Sequence, residues 1–140
     1  GHVFQPGKAN LLRDGDSVTL IANGTLTHRM MKAADLLAAE GIAARVLNMA
    51  TVRPIDVEAV IAAAQDTGAI LTAEEHSTFG GLGSAIAEVV VAEAPVPMKI
   101  LGVPGVFAPT GSAEFLLDHF GMSPAAVAEA AKALIARKRA

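Results

Sequence analysis

The stretch Glu74-Glu75-His76-Ser77-Thr78-Phe79-Gly80-Gly81-Leu82-Gly83-Ser84 decides how this chain folds. Just before it, Ala69 to Ala73 is short and largely apolar, the pattern of a strand buried on both faces. Just after the glycines, Leu82, Ile86, Val89 and Val90 recur at helical spacing. A strand that passes through a glycine-rich turn into a helix is the first part of a βαβ unit.

The same plan recurs on either side. Ser17 to Ala22 reads as a buried strand, Asn23-Gly24-Thr25 breaks it, and Leu26, Met30, Ala33 and Leu37 form one face of a helix running to about Glu40, with Gly41 where a C-terminal cap belongs. Ala43 to Asn48 reads as the next strand. Arg53-Pro54 marks a break, because the residue before proline avoids helical geometry. Asp56 is placed to cap a helix whose stripe is Val57, Val60, Ile61 and Ala64 and which Gly68 closes. Beyond the central stretch, Pro95 and Pro97 end a unit and Met98 to Leu101 reads as a strand. Gly102 to Ser112 reads as a loop, and a short helix spans about Ala113 to Phe120. Ser123-Pro124 opens a last helix, a capping hydroxyl followed by proline at the first position, with Val127, Ala130, Leu134 and Ile135 as its buried face.

Strands and helices alternate with short connections, which predicts an α/β fold of three layers: a mostly parallel sheet of four or five strands with helices on both faces. The 140 residues suit one domain, assigned to 3–140, with Gly1-His2 read as a remnant of an expression tag and the whole as a piece that can belong to a longer polypeptide. Hydrophobic residues make up 52% of the chain, with no Trp or Tyr and five Phe, so the core is aliphatic.

Composition narrows the chemistry. A net charge of -3 argues against a nucleic-acid surface, and the terminal cluster Arg137-Lys138-Arg139 reads as a solvated helix end whose cations complement the last carbonyls. With no cysteine there is no disulfide, thiolate nucleophile or thiolate metal site, which suits a cytoplasmic protein. No apolar run is long enough to span a bilayer, and no signal peptide is recognisable.

The central stretch also holds the candidate chemistry. Open α/β sheets build their functional edge at the carboxyl ends of strands. Gly80, Gly81 and Gly83 permit a sharp turn or a close approach, and the amides at the helix start can receive an anion. A tight turn packed against a neighbouring chain fits the same residues. The dinucleotide fingerprint fails, because Ile86 stands where its third glycine belongs, and no Gly-Lys-Ser/Thr triplet makes a P-loop. His76 can act as acid or base beside Glu74, which alternation puts on the same face, or serve as a hydrogen-bonded structural residue. His28 and His119 fall on helices with no catalytic neighbour. Gly83-Ser84-Ala85 lacks the last glycine of a nucleophile elbow, the four histidines lack metal-ligand spacing, and Asp14-Gly15-Asp16 reads as a polar turn. From the residues alone, this is a soluble α/β domain with one functional edge near His76, either a partner-binding domain or a small-molecule enzyme.

Residues 72–88, from Thr72-Ala73-Glu74-Glu75-His76 through Gly80-Gly81-Leu82-Gly83-Ser84 to Ala87-Glu88, resemble the C-terminal domain of the transketolase family. Other pieces resemble it in the right order: Asp16 to Thr25 as first strand and turn, Thr51-Val52-Arg53-Pro54-Ile55-Asp56 as the turn before a helix, and Gly102-Val103-Pro104, Gly111-Ser112 and Phe120-Gly121 as the closing segment. The resemblance covers nearly the whole chain from about Phe4.

The resemblance implies a three-domain thiamine-diphosphate enzyme whose other two domains bind the cofactor and magnesium. This domain then has no catalytic, cofactor-binding or metal-binding residue of its own, and is inactive alone. Its implied work is to pack on the N-terminal cofactor-binding domains or subunit, within a homodimer or heterotetramer that transfers two-carbon ketol units between sugar phosphates. Glu75, His76, Gly80, Gly81 and Gly83 are the implied interface, with His76 a secondary candidate at the substrate channel. The Glu-Glu-His-Ser and Gly-Gly-Leu-Gly elements are shared with the β-subunits of 2-oxo acid dehydrogenases, whose C-terminal domain docks the acyltransferase core. Deoxyxylulose-phosphate synthase is a third resemblance, and a pure interaction module a fourth alternative.

Overall fold

The computed structural model describes residues 7–77, 80–103 and 112–138, without the side chains of residues 76, 77 and 113. Gly1-His2, Phe4, Phe79, Pro104, Gly111 and Arg139 lie outside the described residues.

Five strands form one sheet in the order β1 (Asn10–Arg13), β3 (Ala44–Asn48), β2 (Val18–Ala22), β4 (Ile70–Ser77), β5 (Met98–Val103). Strands β3, β2, β4 and β5 are parallel, and β1 is antiparallel on the edge of β3. Between them run α1 (Leu26–Ala39), α2 (Val57–Thr67) and α3 (Leu82–Glu93), followed by α4 (Ala113–His119) and α5 (Pro124–Arg137). The predicted fold class is borne out, with the sheet at five strands.

The sheet divides two cores. On one face Val18, Leu20, Val46 and Leu71 pack with Leu26, Met30 and Leu37 of α1, Leu117 of α4 and Val127 and Leu134 of α5. On the other, Ile21, Leu47 and Ile70 pack with Val60 and Ala64 of α2 and Leu82, Ile86 and Val90 of α3. Every side chain of β2 is buried, because strands covered on both faces have no solvent side. The many alanines facing the sheet, such as Ala33, Ala34, Ala63, Ala64 and Ala131, let the helices sit close to it.

The caps fall where the sequence places them. Asp56 accepts from the Ala59 amide at 3.1 Å, Ser123 from Ala126 at 3.1 Å, and Gly68 closes α2 with φ 72° in the left-handed region.

Four expectations are corrected. Strand β1 was not anticipated, because four residues of mixed polarity gain strand geometry only from the free edge of β3. Val57 is exposed and Ile61 only half-buried, and Ala63 and Thr67 complete the buried stripe of α2 with Val60 and Ala64; Val57 is the first residue of the helix, just beyond the Asp56 cap. Strand β4 runs on to Ser77 and β5 to Val103, because each keeps pairing with the other past the expected ends. The carboxyl end of α5 is not simply solvated: Lys138 Nζ donates to the carbonyls of Ser17 at 2.7 Å and Thr67 at 2.8 Å. That ammonium caps backbone groups at the opposite edge of the sheet from the candidate site.

Candidate functional site at the carboxyl edge of the sheet

Strand β2 is followed by a turn to α1 on one face of the sheet, and its neighbour β4 by a turn to α3 on the other face. Two adjacent strands whose connections leave in opposite directions open a crevice at their carboxyl ends, the usual place for function in open α/β sheets. Here the crevice is lined by Asn23 after β2, Val52 after β3, Glu74 and Glu75 of β4, and Gly80, Gly81 and Leu82 at the start of α3. It encloses about 370 Å³. A second depression of about 480 Å³ adjoins it across Val52, Gly80 and Gly81, and runs over Arg53, Pro54, Ser84 and Glu88.

Alternation along β4 separates the two glutamates. Glu74 turns inward and is only 7% exposed, whereas Glu75 is exposed and takes a hydrogen bond from the hydroxyl of Thr25. That bond ties the β4 edge to the turn after β2. His76 continues the strand, and its side chain lies outside the described residues.

The glycines have different tasks. Gly80 turns the chain with φ 75°, a conformation that side-chain-bearing residues rarely adopt, and its amide donates to Ser84 Oγ at 3.0 Å. At Gly81 an added Cβ would run into the carboxylate of Glu74, 2.8 Å from its Cδ. At Gly83 it would meet Ile100 Cγ2 at 2.5 Å and Thr72 Oγ1 at 2.7 Å. Gly83 is therefore buried inside the chain. It shapes the edge from behind, whereas Glu75 and Gly80 are exposed and Gly81 is half-buried.

Two buried oxygens at this edge, Glu74 Oε1 and Thr72 Oγ1, have no hydrogen-bond partner among the described residues. The lining does not suit a diphosphate: its charged groups are two carboxylates, which would repel the anion. Among the described residues no group of three or more His, Asp or Glu side chains is placed to hold a metal ion.

Elsewhere the predicted roles are structural. His28 is exposed on α1, and His119 stacks on Phe115 at 5.8 Å between ring centres. Asp14 bonds the Gly15 amide at 2.8 Å and Arg45 at 3.1 Å, which confirms the polar turn. Sequence reasoning missed Arg29, which is 8% exposed on α1 and donates to Asp118 at 2.7 Å, to the Met122 carbonyl at 3.1 Å and to Glu114. Burial disfavours its charge, but the hydrogen bonds to Asp118 and Glu114 more than offset that, and its pKa is raised. No local signal marked it, since its partners lie 85 and 89 residues away.

Comparison with known proteins agrees with this architecture. A family model described as the C-terminal domain of transketolase matches residues 7–127. The chain is 44% identical over 135 residues to the 6-deoxy-6-sulfo-D-fructose transketolase subunit SqwH of Clostridium sp. (strain MSTE9), covering 96% of this chain and 42% of that protein. It is 41% identical over 128 residues to one subunit of the apulose-4-phosphate transketolase of Phocaeicola vulgatus, covering 91% of this chain and 41% of the relative. The solved structure described as a split-gene transketolase, inactive β4 tetramer, superimposes with a TM-score of 0.91 at 44% identity, over 96% of this chain and 44% of that one. The chain thus spans about two fifths of the length of these relatives. By sequence and by fold, it belongs to the transketolase C-terminal domain family.

Proposed function

We propose that residues 3–140 form the single C-terminal domain, or a piece of the C-terminal subunit, of a thiamine-diphosphate-dependent transketolase that transfers two-carbon ketol units between sugar phosphates. The observation that carries this is the 44% identity to a transketolase subunit across 96% of the chain. In the intact enzyme thiamine diphosphate, held with magnesium by the other domains, supplies the electron sink for the ketol carbon. This chain's part is to pack its carboxyl edge on the cofactor-binding domains and to support dimerisation, in a homodimer or a heterotetramer. Glu75, His76, Gly80 and Gly81 make that interface, and His76 approaches the substrate channel. The carboxylate-lined crevice supports this division of labour, because it is the wrong sign for the cofactor's diphosphate and the right one for a basic protein surface. We place the enzyme in the cytoplasm; no helix among the described residues is long and apolar enough to cross a membrane.

The test is reconstitution. The chain alone should show no ketol transfer and no calorimetric heat with thiamine diphosphate and magnesium. Mixed with the polypeptide that carries the cofactor-binding domains, it should restore transfer from a ketose phosphate to an aldose phosphate. Tight cofactor binding by the chain alone would overturn the proposal.

A further inference from the structure

Among the described residues, the Glu74 carboxylate has no counter-ion. It is 7% exposed, and its Oε1 has no hydrogen-bond partner among the described residues. The ion pairs of the described residues join Arg13 to Asp35, Arg29 to Glu114 and Asp118, Arg45 to Asp14 and Asp66, and Lys132 to Glu40 and Glu129; none includes Glu74. Arg53 lines the adjoining depression and makes no ion pair with it. The start of α3 lies beside the carboxylate, at Gly81, and its dipole offers about half a positive charge spread over several amides. That does not replace a hydrogen-bonded cation, and burying a charge without one is costly.

The crevice around Glu74 is open to solvent, and its polar lining is the side chains of Glu74, Glu75 and Asn23, with the Oε1 of Glu74 buried at its base. The remaining lining, Val52, Leu82, Gly80 and Gly81, is apolar or bare backbone. Acceptors around an apolar slot match a planar guanidinium, which carries five donors on an apolar stem.

Resting on the docking role proposed above, we infer that this crevice is the socket for an arginine side chain of the polypeptide that carries the cofactor-binding domains, and that Glu74 is the buried half of the resulting ion pair. The separate chain keeps the carboxylate uncompensated, and assembly supplies its partner. A pair formed only on docking makes assembly selective, since a neutral side chain in the socket would leave the charge stranded.

The experiment measures the dissociation constant between the full chain and the cofactor-domain polypeptide by calorimetry, for wild type, Glu74→Gln and Glu75→Gln, with the thermal midpoint of each chain alone. Glu74→Gln keeps the shape and removes the charge. It should weaken binding tenfold or more, without lowering the midpoint of the chain alone. Glu75→Gln, at an exposed site, should weaken binding less. One Arg→Met variant of the other polypeptide should lose as much affinity as Glu74→Gln, and the double variant should lose little more. Binding by Glu74→Gln within twofold of wild type would overturn the socket while leaving the docking role intact. So would a midpoint lowered by 5 °C or more, which would mean that the carboxylate is already compensated within the chain. Failure of the wild-type pair to bind at all would overturn both.

Discussion

The carboxylate of Glu74 occupies the space that a side chain on Gly81 would need: a Cβ built there would come within 2.8 Å of the Glu74 Cδ and closer still to Oε1. The first turn of α3 therefore rests directly on the buried end of β4. Gly81→Ala should destabilise the chain by about 1–3 kcal/mol, the usual cost of forcing atoms into a filled space. Adding Glu74→Ala should recover much of the loss, because it vacates that space. Urea unfolding of the two single variants and the double variant checks the coupling; strict additivity would contradict the contact.

Asp56 holds two segments at once. One carboxylate oxygen caps α2 through the Ala59 amide at 3.1 Å, and the other accepts from the Ala9 amide at 2.8 Å. Asp56→Ala should cost about 2 kcal/mol, a lost cap plus a second lost hydrogen bond. Asp56→Asn keeps one acceptor oxygen and should lose about half as much. Chemical denaturation would expose a failure if both variants proved equally stable.

Two buried threonine hydroxyls make opposite predictions. Thr67 Oγ1 lies 2.7 Å from the Ala63 carbonyl and 2.8 Å from Thr19 Oγ1, whereas Thr72 Oγ1 has no partner among the described residues. Thr67→Val should cost about 1–2 kcal/mol by stranding those groups. Thr72→Val should be neutral or stabilising, since it removes an unsatisfied hydroxyl from an apolar setting. Thermal unfolding of the pair decides, and a larger loss at Thr72 would show that its hydroxyl is bonded after all.

Arg29 joins α1 to α4 and to the turn before α5. Arg29→Ala should cost about 1–3 kcal/mol, largely from the unpaired Met122 carbonyl. Because its folded-state pKa is raised above the already high value of a free guanidinium, the contribution of its protonation is fully present throughout the neutral and mildly alkaline range and is lost only at strongly alkaline pH. That protonation should therefore give no pH dependence between pH 6 and pH 9 to the gap between wild type and Arg29→Ala. Unfolding curves at the two ends of that range test the sign.

What was legible in the chain was local. Apolar runs marked the four parallel strands, period-3.6 stripes marked α1, α3 and α5, and Asp56, Gly68 and Ser123-Pro124 marked helix ends, because each of these depends on neighbours within a few residues. The glycine run at 80–83 was legible as a turn, and its resemblance to a family was legible as a pattern.

Only tertiary structure decided the rest. Asn10–Arg13 became a strand because β3 had a free edge. Val57, at the first position of α2, fits the stripe's spacing yet is exposed. Glu74 became a buried carboxylate with no partner among the described residues because α3 closes over the end of β4, and the space beside Gly81 and Gly83 is filled by side chains from other elements, Glu74 at the first and Thr72 and Ile100 at the second. Backbone preference is a property of a short segment, whereas burial and charge pairing depend on which distant segments the fold brings together.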